Sequence, residues 1–239
     1  MKTSFEMPFY ATELPCPLPT GTEIENAPDL SMRHGGRRIV GVGQHFVVKF
    51  GLGVDLIEGE SMLFVRYNTN IPIPRVFALY SDLEIGKNFI VMECVLGQIL
   101  LSGYFDNLCQ LLSLEYFGSL NQRQLLDDIF WTQEPDLLVN GPFNSEGDLN
   151  EAILRKYTYN GGPYYRAEYL QKCFPFVFKG NKATFTHRKS GWYPGYWEYC
   201  LAVCALRWDD DWSLWIDGIL SPCVSEAAYF QSLRLELWS

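Results

Sequence analysis

Glu58-Gly59-Glu60-Ser61-Met62-Leu63-Phe64-Val65, followed after two residues by Asn68-Thr69-Asn70-Ile71-Pro72-Ile73-Pro74-Arg75-Val76, joins a helix to a segment that cannot be one. Ile57, Met62 and Val65, with the Ser61–Phe64 spacing, give one apolar side, and Asp55 stands where it can cap the first turn. A helix is therefore expected over Asp55–Asn68. Residues that precede Pro72 and Pro74 are pushed out of the helical region, so Ile71–Val76 must be extended. Upstream, Arg38-Ile39-Val40 and Phe46-Val47-Val48-Lys49-Phe50 read as two strands around the turn Gly41-Val42-Gly43. Alternation puts Val47 and Lys49 on one face of the second strand and Phe46, Val48 and Phe50 on the other. Downstream, Asn88–Glu93 reads as a buried strand. Strand pair, helix, extended entry and strand fill residues 33–97.

After Gly97 the pattern turns mainly helical, with helices expected near Tyr104–Ser113, Asp148–Tyr157, Ala167–Phe174, Tyr196–Arg207, Asp211–Leu220 and Ser225–Trp238. Residues 1–32 are rich in Pro, Thr and Glu, and Pro15, Pro17 and Pro19 alternate with other residues. That spacing predicts an extended surface segment without a helix. The expected class is α+β, with a small β-rich part over 33–97 and a helical part over 98–239.

The formal net charge of −9 argues against a nucleic-acid or anionic-membrane surface, since both require basic patches. The longest apolar run, Phe89–Leu101, is broken by Glu93 and Gln98 and is far shorter than the ~20 residues a membrane span needs. Glu6 stands where a signal peptide would have its apolar region. Seven cysteines, scattered and without a C-x-x-C pair, fit reduced thiols in a cytoplasmic protein. With three histidines in the chain, a zinc site is not expected.

Lys49 lies late in the second strand, and Glu58 lies nine residues on, in the first turn of the following helix. The pair has two readings. Asp55 and Glu58 match a capping box, with Lys49 left in solvent; alternatively, a strand lysine is oriented by a helix carboxylate to hold phosphates. Context favours the second. Glu58–Val65 and Asn68–Val76 resemble, nearly residue for residue, the E-A-x-x-M-x-F-V and I-P-V-P-x-V run of the fungal branch of the aminoglycoside phosphotransferase family, small-molecule kinases with a protein-kinase-like fold. Val91-Met92-Glu93-Cys94-Val95-Leu96-Gly97 resembles that family's V-M-E-Y-I-P-G hinge, with Cys94 in place of an aromatic residue and Leu96 in place of proline. Tyr116-Phe117-Gly118-Ser119-Leu120 and Gly141-Pro142-Phe143 resemble its Y-I-G-S-L and G-P-F segments, and the ending from Arg207 to Trp238 is similar as well.

The resemblance breaks at one place. Phe185-Thr186-His187 resembles the opening of the catalytic loop F-T-H-x-D-L, and Lys189-Ser190-Gly191-Trp192 resembles the end of D-W-E-K-S-G-W. The segment between them, which in the family carries the base and the magnesium ligands, is missing, and no Asp or Asn occurs between Lys182 and Trp208. Such a loss is expected to remove a small sheet and leave apolar neighbours exposed. Asp209, Asp210 and Asp211 are carboxylates with an affinity for hard cations, but Asp211 reads as a helix cap.

The resemblance implies a two-lobed kinase-like fold: an extended segment 1–32, an N-lobe 33–97, and a C-lobe 98–239 without its catalytic loop. It implies an ATP site at Lys49, Glu58, Met92, Glu93 and Cys94, a vestigial His187, no catalytic residue and no metal ligand set, Mg²⁺ belonging to the intact family. The expected function is an aminoglycoside phosphotransferase-like protein that does not transfer phosphate in this form. The alternatives are a nucleotide- or partner-binding pseudokinase, and a shortened version of an active ATP-dependent phosphotransferase acting on a small-molecule hydroxyl, possibilities that the residues leave open. The acceptor molecule is not legible.

Overall fold

Alternation of Phe46, Val48 and Phe50 with Val47 and Lys49 gives the first sheet two different faces. The computed structural model describes residues 4–30, 36–95, 115–178, 182–186, 190–204 and 213–237, and the chain divides into two compact units, Met1–Ile99 and Leu100–Ser239. In the first unit, β1 (Phe9–Tyr10), β2 (Arg37–Val42), β3 (Phe46–Gly51), β4 (Val76–Asp82) and β5 (Lys87–Glu93) form one antiparallel sheet in the order β1-β4-β5-β3-β2. The β2–β3 turn uses Gly43 at φ 61°, a backbone conformation costly for residues with a Cβ.

One face of this sheet packs Val40, Phe46, Val48, Phe50, Phe77, Phe89 and Val91 against Ile24 of α1 (Gly21–Asn26). The other face carries Val76, Leu79 and Ile90, which pack with Val54 and with Met62 and Leu63 of α2 (Ile57–Asn68). The division expected for β3 is observed. Helix and sheet approach closely at Gly59, where an added Cβ would lie 2.1 Å from Leu79 Cδ2. Burial on α2 extends beyond the expected stripe, since Gly59, Glu60 and Leu63 are buried along with Ile57, Ser61, Met62, Phe64 and Val65.

Residues 1–32 are not simply extended. The prolines exclude a helix only as far as Pro19, and Thr20-x-x-Glu23 then starts one. The Thr20 N–H donates to Glu23 Oε2 (2.7 Å) and the Glu23 N–H to Thr20 Oγ1 (3.3 Å), a complete capping box. The segment is also built into both edges of the sheet. β1 pairs Phe9 with Leu79 and Tyr10 with Ala78 on one edge, while Asp29 bridges Val40 on the other. Between them Ile24, with no exposed surface, plugs the aromatic face.

In the second unit, β6 (Gly118–Ser119), β7 (Ala183–Thr186) and β8 (Gly191–Pro194) form a sheet in the order β6-β8-β7. Around it lie α3 (Leu137–Asn140), α4 (Glu146–Tyr159), α5 (Tyr164–Val177), α6 (Trp197–Cys204), α7 (Ser213–Ile219) and α8 (Val224–Leu237). α5 starts three residues before and ends three residues after the expected Ala167–Phe174, with Pro175 inside it at the cost of one i→i−4 hydrogen bond. The helix expected over Tyr104–Ser113 lies outside the described residues.

The expected loss of a small sheet is overturned. The strands on either side of residues 187–189 pair directly with each other, Thr186 with Gly191 and Phe185 with Trp192. Their apolar side chains are covered, Phe185 being 3% and Trp192 0% exposed, with ring centroids 5.2 Å apart. Cross-strand aromatic pairing such as Phe185 with Trp192 helps to fix the register of β7 and β8. Tyr193, Tyr196 and Trp197 continue this core, and Trp197 contacts Phe130 and Phe230 at 5.5 and 4.9 Å. The fold is α+β. Among the described residues no helix is long and apolar enough to cross a membrane.

Candidate functional site

Lys49 reaches its position through register. It lies opposite Ile90 on β5 and Ile39 on β2, on the sheet face that α2 covers. The loop after β3 brings α2 back across that face, and Lys49 Nζ hydrogen-bonds Glu58 Oε2 in the first helical turn. This geometry rules out the capping box as the role of Asp55 and Glu58. Asp55 Oδ1 accepts from the Ile57 N–H (3.0 Å), whereas the Glu58 carboxylate turns to the strand lysine, so the reciprocal capping box does not form.

The lysine side chain is 13% exposed and the glutamate 42%, so the lysine is largely enclosed while the glutamate is open to solvent. An ammonium carries three donors, and one carboxylate oxygen does not exhaust them. The pair thus presents an oriented cation able to accept a second anion, most simply a phosphate oxygen.

Met92 lies opposite Val47 and Val76, on the same face as Lys49, and packs against the α2-side core. Glu93 and Cys94 are more committed than expected. The Glu93 N–H donates to the Arg75 carbonyl (2.8 Å), and Glu93 Oε2 accepts from the Arg75 N–H (3.0 Å). The Cys94 N–H donates to the His45 carbonyl (2.9 Å). The backbone N–H groups of Glu93 and Cys94 are therefore used by the residues just ahead of β4 and β3. Arg75 and His45 were missed at the sequence level because their role follows from pairing register, which the I-P-I-P-R-V run does not reveal.

His187 and Asp209–Asp211 lie outside the described residues, as does the Leu96–Gly97 end of the hinge-like run. Among the described residues no group of three or more His, Cys, Asp or Glu side chains is arranged to hold a metal ion. The residues around Lys49 offer a cation and one carboxylate, which does not fit a magnesium centre.

The buried polar groups of the second unit serve the fold. Asp127 accepts from the Ile129 N–H (3.2 Å) and from Trp197 Nε1 (3.3 Å), which ties a 3₁₀ turn to the aromatic core. Asn140 bonds Phe130 O, Thr132 Oγ1 (3.0 Å) and the Asp136 N–H (2.6 Å). Lys156 Nζ donates to Trp131 O (2.7 Å) above the Tyr159 ring, and burial lowers its pKa. The six described cysteines are free thiols, and burial raises the pKa of Cys200, the most enclosed of them. A scan against protein-family models gives no match, and a search of curated proteins gives none, so the family resemblance rests on the motifs quoted from the sequence.

Proposed function

We propose that the chain is an aminoglycoside phosphotransferase-like protein of kinase-like, two-lobed fold that holds the phosphates of a nucleotide without transferring them. The observation that carries this reading is the Lys49–Glu58 pair bridging β3 and α2. Lys49 would hold phosphate oxygens, Glu58 would fix its rotamer, and Met92 would offer an apolar surface to the base. The nucleotide, when bound, supplies a phosphoryl group. What the chain lacks is the rest of the machinery, because no Asp or Asn lies between Lys182 and Trp208 to accept a hydroxyl proton or carry a metal.

With the Glu93 and Cys94 N–H groups engaged in the sheet, base recognition is weak, and affinity rests mainly on the phosphates. A calorimetric titration with ATP in EDTA tests this reading. The expected result is metal-independent binding that Lys49→Ala abolishes while the circular dichroism spectrum is retained. Absence of binding removes the nucleotide role. Phosphorylation of any hydroxyl or amine acceptor that disappears in Lys49→Ala removes the claim that transfer is lost.

A further inference from the structure

α5 (Tyr164–Val177) carries large apolar side chains on two opposite sides, and the fold of the second unit buries only one of them. Leu170 and Phe174 are the buried pair. On the far side, Tyr165, Tyr169, Lys172 and Phe176 follow one another at intervals of four, three and four residues. That spacing places all four within ~60° around the helix axis. Tyr165, Tyr169 and Phe176 are 75%, 53% and 78% exposed, and Tyr164 at the edge of the stripe is 75% exposed. A helix with apolar side chains all round is normally covered on both sides.

Alternating intervals of four and three residues are those of a coiled-coil seam. The order along this seam is also self-complementary. With a second copy of α5 laid antiparallel about the seam's midpoint, Tyr165 falls opposite the second copy's Phe176, and Tyr169 opposite the second copy's Lys172. The first contact pairs two rings. The second sets an ammonium against a ring and next to Glu168, whose carboxylate accepts from the Tyr164 hydroxyl and has lone pairs to spare.

These groups are open to such contacts. Among the described residues, Tyr165 and Phe176 stack on no other ring, and Lys172 forms no ion pair. Arg166 lies over one face of Tyr169 at 5.4 Å, and half of that residue is still exposed. At ~150–250 Å² per aromatic side chain, the four exposed rings leave on the order of 400–700 Å² uncovered, most of the ~800 Å² that one partner contributes to a standard interface.

We propose that the outer face of α5 is a homodimer interface, closed by the α5 of a second copy of this chain running antiparallel. The stripe lies wholly in the second unit, so the proposal does not rest on nucleotide binding at Lys49.

Sedimentation velocity of the full chain from about 1 to 200 μM tests it. The expected result is a concentration-dependent shift from 27.5 kDa to twice that mass. Tyr165→Glu and Phe176→Glu each weaken the dimer roughly 10-fold or more, with the circular dichroism spectrum of the monomer retained. Lys172→Glu weakens it as well, and adding Glu168→Lys to that variant restores association, a rescue that damage to the fold cannot produce. A dimer of unchanged affinity in both Tyr165→Glu and Phe176→Glu overturns the proposal. So does a monomer over the whole range; a lower urea midpoint for Tyr165→Glu in that case assigns the stripe to another segment of the same chain.

Discussion

The Lys49–Glu58 contact contributes little to stability, and this is the main physical reason to assign it a role. Glu58 is 42% exposed, so solvent screens the attraction, and holding two long side chains in one geometry costs entropy. Glu58→Gln should therefore lower unfolding free energy by under about 1 kcal/mol, and Lys49→Met should be neutral or slightly stabilising, because it replaces a partly enclosed cation with an apolar stem. Urea titrations of both variants check this; a loss of several kcal/mol from either would make the pair a structural strut instead. Tyr199 makes the opposite kind of contribution. Its hydroxyl donates to Asp217 Oδ1 (3.0 Å), and desolvation first, with that hydrogen bond second, raises its pKa to about 12. Burial pushes Tyr193 and Tyr196 in the same direction. The unfolded chain loses these protons near pH 10 while the native state keeps them, so the stability they contribute is fully present below pH 10. It is lost as pH rises through the folded value. Alkaline unfolding followed by circular dichroism should begin above pH ~10, and Tyr199→Phe should flatten the pH dependence between about 10 and 12.

β7 and β8 pair side by side, and their packing makes a sharp expectation. Trp192 has no exposed surface and meets Phe185 on one side and Tyr116 on the other, at 5.2 and 5.5 Å. Trp192→Ala should cost ~3–5 kcal/mol in a denaturant titration, the toll of an aromatic removed from a closed core. A cost under about 1 kcal/mol would mean that the β7–β8 pair is a loose patch. At the other end of the chain, Thr20→Ala should cost roughly 0.5–2 kcal/mol through loss of the α1 cap. What was legible in the sequence follows from these same elements. α2, α4, α6 and α8 carry long one-sided patterns or clear caps, so they were read to within a few residues. β1 and β6 have two residues each and are strands only because Leu79 and Trp192 lie beside them, which no local pattern encodes. The α1 cap was legible and was obscured by the prolines before it. In the candidate site, Lys49 and Glu58 could be read because strand parity and the first helical turn place them. The Arg75–Glu93 link could not, since it joins residues 18 apart through register alone.

The chain as a whole distributes its chromophores unevenly, and that makes the role of the N-terminal segment measurable. All seven tryptophans lie between Trp131 and Trp238, in the second unit, so tryptophan emission reports on that unit. The first unit has two cores, and the one under the aromatic sheet face is sealed from outside by residues that precede β2: Ile24 fully buried, with Cys16, Leu18 and Ala27 around it. The same segment occupies both sheet edges, through β1 and through the Asp29 bridge, and its Glu25 pairs with Arg38 and Lys87 at 3.1 and 2.7 Å. Removing it would expose Phe46, Phe50, Phe77 and Phe89 together and open two strand edges, a combination that favours aggregation over folding. Loss of Ile24 alone is worth ~2–5 kcal/mol against a total of roughly 5–15 for an ordinary domain. Deletion of residues 1–30 should therefore abolish slow amide exchange across β2–β5 and induce binding of a hydrophobic dye, while the tryptophan emission maximum stays where it is in the full chain. Retained protection in β2–β5 would make the segment an appendage. Loss of both signals at once would show that the second unit does not hold its core without the first, and that the cooperative folding unit is the entire chain.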